Sequence, residues 1–207
     1  IPSLDVHSYL TDLGEERGAP FEAISHLGSW HRDRVLFSIV PPDRLRRILT
    51  RVFDEQEFLS PYGIRSLSKV YETTPYSYQQ GDDYATISYS PADSPVAMFG
   101  GNSNWRGPVW MPINYLLIEA LQKFGHALGD DFRMEFPTGS GRELNLWQIS
   151  LELETRLVGI FRRDAEGRRA FNGDVELFQN DAAWQDLFQF NEYFNGCTGA
   201  GVGASHQ

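Results

Sequence analysis

The densest recognition chemistry in this sequence lies in the run Gly100-Gly-Asn-Ser-Asn-Trp-Arg-Gly-Pro-Val-Trp-Met-Pro-Ile-Asn-Tyr115. It sets two indoles, Trp105 and Trp110, beside the guanidinium of Arg106 and the carboxamides of Asn102, Asn104 and Asn114. Sugars need this mixture: aromatic faces for the C–H side of the ring, and planar donors and acceptors for the hydroxyls. Arg106 offers a fork of donors that can hold two oxygens at once. Gly107-Pro108 turns the chain sharply and stiffens the loop. A second reading fits the same residues, a demanding turn with Arg106 in a buried ion pair. Composition alone leaves both open.

Other chemistry-bearing residues point nowhere. Gly199-Ala-Gly-Val-Gly-Ala204 fits a dinucleotide-binding pattern, but that pattern needs a strand before it and a helix after it. Neither is expected there. His26 and His31 flank Trp30 with no acidic or thiolate partner at ligand spacing, so no metal site is expected. Cys197 is the single cysteine, which excludes an intrachain disulfide, and no nucleophile signature surrounds it. No cofactor is implied.

The elements that must position the aromatic run are mainly helical. Leu45, Ile48, Leu49, Val52 and Phe53 recur at helical spacing after Pro42 and Asp43, which suit a first turn. A second helix is expected over 112–128, stopped by Gly129, with Leu117, Leu121, Phe124 and Leu128 on one side. A third is expected over 142–161, with Leu146, Ile149, Leu153, Leu157 and Ile160 as its stripe and Ser140–Glu143 as a capping box. A short fourth is expected over 181–190, carrying Trp184, Leu187 and Phe188, and a weaker one over 6–13. Residues 54–111 are rich in proline and glycine, with one short β element near 83–90, where Ala85, Ile87 and Tyr89 alternate. A loop region of that length is expected to build a site.

Composition bounds the partners. The 207 residues are 41% hydrophobic and 14% aromatic, enough for a sizeable core and too apolar for disorder. A formal charge of −10 opposes binding to nucleic acid. No apolar run approaches the length of a membrane span, so no membrane partner is expected. Nothing near Ile1 resembles a signal or transit peptide, so a cytoplasmic location is the expectation. The sequence opens on Ile1 and closes in a glycine-rich stretch, which reads as part of a longer polypeptide.

Asn104-Trp-Arg-Gly-Pro-Val-Trp-Met-Pro-Ile-Asn-Tyr115 resembles the signature of glycoside hydrolase family 63, the processing α-glucosidases and their large bacterial relatives. Tyr62-Gly-Ile-Arg-Ser-Leu-Ser68, Phe136-Pro-Thr-Gly-Ser-Gly141, Phe190-Asn-Glu-Tyr-Phe-Asn195 and Thr198–Gln207 are similar to further stretches of that family. A looser likeness extends to trehalases and glucoamylases.

The resemblance implies that residues 1–207 are the C-terminal half of an (α/α)6 catalytic barrel, truncated at both ends, that cleaves α-linked oligosaccharides with inversion. It implies Glu192 as the general base that activates water. It also implies Trp105, Arg106, Gly107, Trp110, Asn114 and Tyr115 as the sugar subsite, with Arg65 approaching it. No segment matches the surroundings of the family's general acid, so this stretch alone is expected to be inactive and to need the remainder of the polypeptide. Cys197 stands where the family leads one to expect an acidic residue. Apart from the resemblance, Glu192 reads as an ordinary surface carboxylate. The competing function is a helical carbohydrate-binding fragment without chemistry.

Overall fold

The computed structural model describes residues 22–25, 35–94 and 104–205. The expected helix over 6–13, His26, Trp30, His31, Gly100–Ser103 and the last two residues lie outside the described residues. The described chain forms four α-helices and five two-stranded antiparallel ribbons. In order these are β1 (Glu22–Ser25), β2 (Val35–Ser38), α1 (Pro42–Val52), β3 (Leu59–Ser60), β4 (Gly63–Ile64), β5 (Tyr76–Gln80) and β6 (Asp83–Ile87). Then come α2 (Met111–Leu128), β7 (Arg133–Glu135), β8 (Glu143–Asn145), α3 (Leu146–Gly159), α4 (Glu176–Asn180), β9 (Asn191–Phe194) and β10 (Gly201–Ser205).

The chain divides into two compact units, one of residues 1–51 and 119–150, the other of residues 52–118 and 151–207. In the first, α1 buries Leu45 and Leu49, one turn apart, as its spacing predicts, while Ile48 faces out. Arg46 lies over the Phe132 ring, 4.5 Å from its centroid, and donates to the Arg133 carbonyl. The ribbon β7–β8 buries Met134 and Leu144, which face each other across its register.

The third helix starts later than expected. Residues 143–145 are strand β8, and Ser140 does not cap a helix; its Oγ accepts from the Arg142 amide within the preceding turn. The cap is Asn145: its Oδ1 accepts from the Gln148 amide at 2.8 Å, and Gln148 Oε1 accepts from the Asn145 amide at 3.1 Å. That reciprocal pair satisfies two donors a helix start would leave open, which is the physical content of a capping box. The stripe of α3 is largely as expected, with Leu146, Ile149 and Leu153 fully buried and Leu157 half-buried, while Ile160 is buried just past the helix end.

In the second unit, Val109, Ile160, Phe171 and Phe194 form a buried cluster, with Tyr62, Met111, Leu157 and Phe161 packed against it. Asn114, in the first turns of α2, clamps β4: its Oδ1 accepts from the Ile64 amide at 2.7 Å, and its Nδ2 donates to the carbonyls of Ile64 and Trp110. The strand near 83–90 ends at Ile87 and pairs with Tyr76–Gln80, a partner whose residues are all exposed and carry no alternation to read.

Residues 181–190 are not a helix. Asp181 Oδ1 accepts from the Ala183 amide and Asp181 itself is extended, so single turns form there without propagating. The helix of this region is the five-residue α4 instead. Trp184 packs on Phe178, while Phe188 stacks on Phe171 beneath the Arg169 guanidinium, so rings spaced for a helix dock from a turn.

Replacing Asn145 with Ala is expected to cost about 1 kcal/mol, lowering Tm by about 2–4 °C, whereas Ser140→Ala should stay within about 0.5 kcal/mol. Calorimetry that ranks them the other way would place the helix start at Ser140. Asn114→Ala strands the buried Ile64 amide and carbonyl and is expected to cost about 3 kcal/mol. Urea unfolding with an unchanged midpoint would show that water replaces the clamp.

Candidate active site

Two segments distant in sequence are stitched together by backbone. Val109 N donates to the Phe194 carbonyl at 2.8 Å, and Phe194 N donates to the Val109 carbonyl at 2.9 Å. Val109 also bridges Arg65 on its other side, so it lies between the β4 edge and β9. This double pair sets the aromatic run beside the strand that carries Glu192. Glu192 sits in strand β9 itself, two residues before Phe194.

The neighbouring side chains follow. Tyr193 is fully buried and stacks on Trp110, centroids 4.9 Å apart at 29°. Trp110 in turn stacks on Trp105 at 3.8 Å and 9°. Trp110 is buried and its Nε1 donates to the Asn104 carbonyl at 2.8 Å, whereas Trp105 is 45% exposed. The three rings thus form a pile anchored at one end and open at the other. Glu192 is half-buried, with Oε2 3.4 Å from the Ala204 amide. Its carboxylate and the Tyr193 ring edge meet at Gly203, where a Cβ would lie 2.8 Å from Oε2 and 2.7 Å from Cε1. Gly203 has φ +70°, so a side chain there is excluded twice over.

The turn at Ser90–Ser94 closes the group. Asn104 Nδ2 donates to the carbonyls of Ser90 and Ala92, and Asn104 Oδ1 accepts from the Arg106 amide. Gly196 N donates to the Pro91 carbonyl at 2.9 Å, and Tyr193 Oη donates to Asp93 Oδ1 at 2.9 Å. Burial, then the Asp93 hydrogen bond and the charge of Glu192, push the Tyr193 phenol above its ordinary range, so it stays a proton donor. Burial likewise pushes Tyr89 up to about 12. Gly107, at φ +148°, passes so close to Tyr89 and the Ser90 carbonyl that a Cβ would stand 2.6 and 2.7 Å from them.

The remaining residues of the expected subsite divide by their partners. Arg106 is buried and donates to Ser94 Oγ. Arg65 is buried with Nη1 on the carbonyls of Glu55, Glu57 and Leu59, and its Nε has no hydrogen-bond partner. Asn114 is committed to β4 as described. Tyr115 is 61% exposed on α2. Asp93 and Tyr193 are what sequence reasoning missed; they pair across a hundred residues, and no local spacing signals such a bond. Cys197 is exposed, its Sγ 3.8 Å from Tyr89 Oη.

A cavity of about 670 Å³ opens at the turn of the β9–β10 hairpin, lined by Tyr62, Arg162, Arg163, Arg168, Arg169 and Asn195 among others. Glu192 and the indoles are not on its wall. Arg163 and Arg169 share Asp186, and Arg168 pairs with Glu176, so most of its positive charge is answered internally. The Glu192 side of the hairpin is the better candidate for chemistry. Among the described residues no three His, Cys, Asp or Glu side chains group as a metal would require, and no helix is long and apolar enough to cross a membrane.

The sequence model of the mannosylglycerate hydrolase MGH1-like glycoside hydrolase domain matches residues 34–207. The uncharacterized protein YMR196W of Saccharomyces cerevisiae is 48% identical over 177 residues, 84% of this chain and 16% of that protein. A probable mannosyl-oligosaccharide glucosidase of Schizosaccharomyces pombe is 31% identical over 120 residues, 56% of this chain and 12% of that protein. The mannosyl-oligosaccharide glucosidase of Saccharomyces cerevisiae is 30% identical over 82 residues, 39% of this chain and 7% of that protein. The chain therefore spans less than a fifth of the length of these curated relatives. With most of its length matched and the aromatic run paired to the Glu192 strand, this chain belongs to the MGH1-like glycoside hydrolase domain family, a branch of glycoside hydrolase family 63.

Proposed function

We propose that this chain supplies the sugar platform and the general base of an inverting glycosidase that cleaves α-linked glucosides in oligosaccharides. The observation that supports the reading is the Val109–Phe194 backbone pair, which joins the strand of Glu192 and Tyr193 to the segment of Trp110 and Trp105, whose rings stack in series with Tyr193. The exposed Trp105 offers a face for the apolar side of a pyranose. Glu192 then draws a proton from a water that attacks the anomeric carbon opposite the leaving group. Such a pair of carboxyl groups stands about 6.5–9.5 Å apart, which leaves room for that water. The partner acid is an Asp or Glu carried by the remainder of the polypeptide. Arg106 and Gly107 shape the platform loop, Asn114 and Arg65 brace it from beneath, and Tyr115 is the outermost member of the subsite.

The same reading makes the chain part of an (α/α)6 barrel. Trp147, Leu151 and Val158 lie on α3 at spacings of four and seven and are 51%, 45% and 47% exposed. Ile113 and Leu116 of α2 are 43% and 60% exposed. A stripe of that kind is what a helix presents to a neighbour in a larger helical layer. The names of the two glucosidase relatives favour a glucoside of an oligosaccharide as substrate, and the α linkage rests on the resemblance to family 63.

In the full-length protein, Glu192→Gln is expected to lower kcat by about 10²–10⁴-fold, because Gln keeps the shape but accepts no proton. KM should change little, since the platform is untouched. Early-time NMR of the wild-type reaction should show the β-anomer of the released sugar first. The α-anomer appearing first would make Glu192 no water-activating base, and a fully active Gln variant would reduce it to a surface carboxylate.

A further inference from the structure

We propose that Asp93 is a positioning residue of the sugar site, which locks the Tyr193 ring and through it the orientation of the Trp110–Trp105 platform. The inference rests on the glycosidase reading only for its kinetic consequence; its structural part stands alone.

Three facts converge on Asp93. Its Oδ1 accepts from Tyr193 Oη at 2.9 Å, and this is the polar end of a ring whose face lies on Trp110. Its loop cannot drift: the backbone of Ser90, Pro91 and Ala92 is held by Arg106, Gly196 and Asn104. The same Asn104 accepts the Trp110 indole N–H on its carbonyl. The hydrogen bonds therefore form a closed circuit, from Asp93 to Tyr193, across the stack to Trp110, then to Asn104 and back to the Asp93 loop. Ring stacking fixes a separation but leaves in-plane sliding and rotation soft, because dispersion carries little direction. The directional Asp93 bond, beside the Asn104 backbone contact on the same phenol, restricts that freedom in Tyr193, and the Asn104 carbonyl restricts it in Trp110. Trp105 has no such tether in the circuit, so its face is set by the two rings behind it. Asp93 itself is exposed, which makes its replacement compatible with folding. Position matters to the chemistry because misplacing a bound group by about 1 Å costs about 10²-fold in rate.

The test compares Asp93→Ala, Asp93→Asn, Tyr193→Phe and the Asp93→Ala/Tyr193→Phe double variant of the full-length protein. Near-parallel indoles at van der Waals separation couple their transitions, so circular dichroism reads the Trp105–Trp110 geometry without any sugar. The couplet is identified as the signal that Trp105→Phe abolishes. Asp93→Ala and Tyr193→Phe should each weaken or shift that couplet, and the double variant should be no worse than either single one. Asp93→Asn keeps an acceptor and should restore the couplet. With maltose-type α-glucosides, Asp93→Ala should lower kcat by about 10–100-fold and Asn should recover most of it. An unchanged couplet in Asp93→Ala overturns the proposal. So does Asn behaving like Ala, which would assign Asp93 a role in charge or proton transfer. A wild-type protein that cleaves no α-glucoside sinks the glycosidase reading, while the couplet still decides whether Asp93 holds the platform.

Discussion

Everything proposed for this site depends on two hydrogen bonds, those exchanged between the backbones of Val109 and Phe194. Both residues are fully buried, so the four polar groups involved have no water to fall back on. Each carries its neighbours with it. Val109 brings Trp110 and Trp105; Phe194 brings Tyr193 and Glu192. The side chains of Val109 and Phe194 belong to the buried cluster with Ile160 and Phe171. Core packing and site assembly are thus one event here.

Several polar residues that the family resemblance assigns to the sugar subsite also hold the backbone around that pairing. Asn114 occupies both backbone groups of Ile64, and Arg65 gathers three carbonyls of the 55–59 segment. These residues take polar backbone out of reach of water and satisfy it, which a loop-rich site requires more than a helical bundle does. An Asn and an Arg are suited to it because each offers several directed groups on one rigid plane. Their presence beside the proposed sugar subsite follows from the irregular backbone around it.

Much of the helical framework was legible. The stripes of α1 and α3 repeat at 3.6 residues, and the periods hold because those helices bury one face. The ribbons were not legible, for two reasons. Strands such as Leu59–Ser60 are too short to carry a period, and Tyr76–Gln80 is exposed on both faces. Trp184, Leu187 and Phe188 show how a period misleads: their spacing is helical, yet Asp181 diverts the backbone and the rings find partners from a turn. At the site, the aromatic run announced itself by composition. Glu192 came from family likeness, since one carboxylate in a polar stretch carries no signal. Asp93 carried none at all, because its meaning lies in a partner a hundred residues away.

The ring pile also explains why its members differ in burial. Tyr193 is fully buried, Trp110 nearly so, and Trp105 is 45% exposed. A flat apolar face left in water costs free energy, roughly 25 cal/mol for each Å² that could be covered. Within this chain Trp105 stays exposed at the end of the stack. Rigidity behind the exposed ring means that a ligand stacking on it does not also have to order it, so more of the contact energy appears as binding. The gradient from a hydrogen-bonded, buried phenol to an exposed indole therefore suits the proposed ring-binding platform. A core aromatic cluster would be closed at both ends.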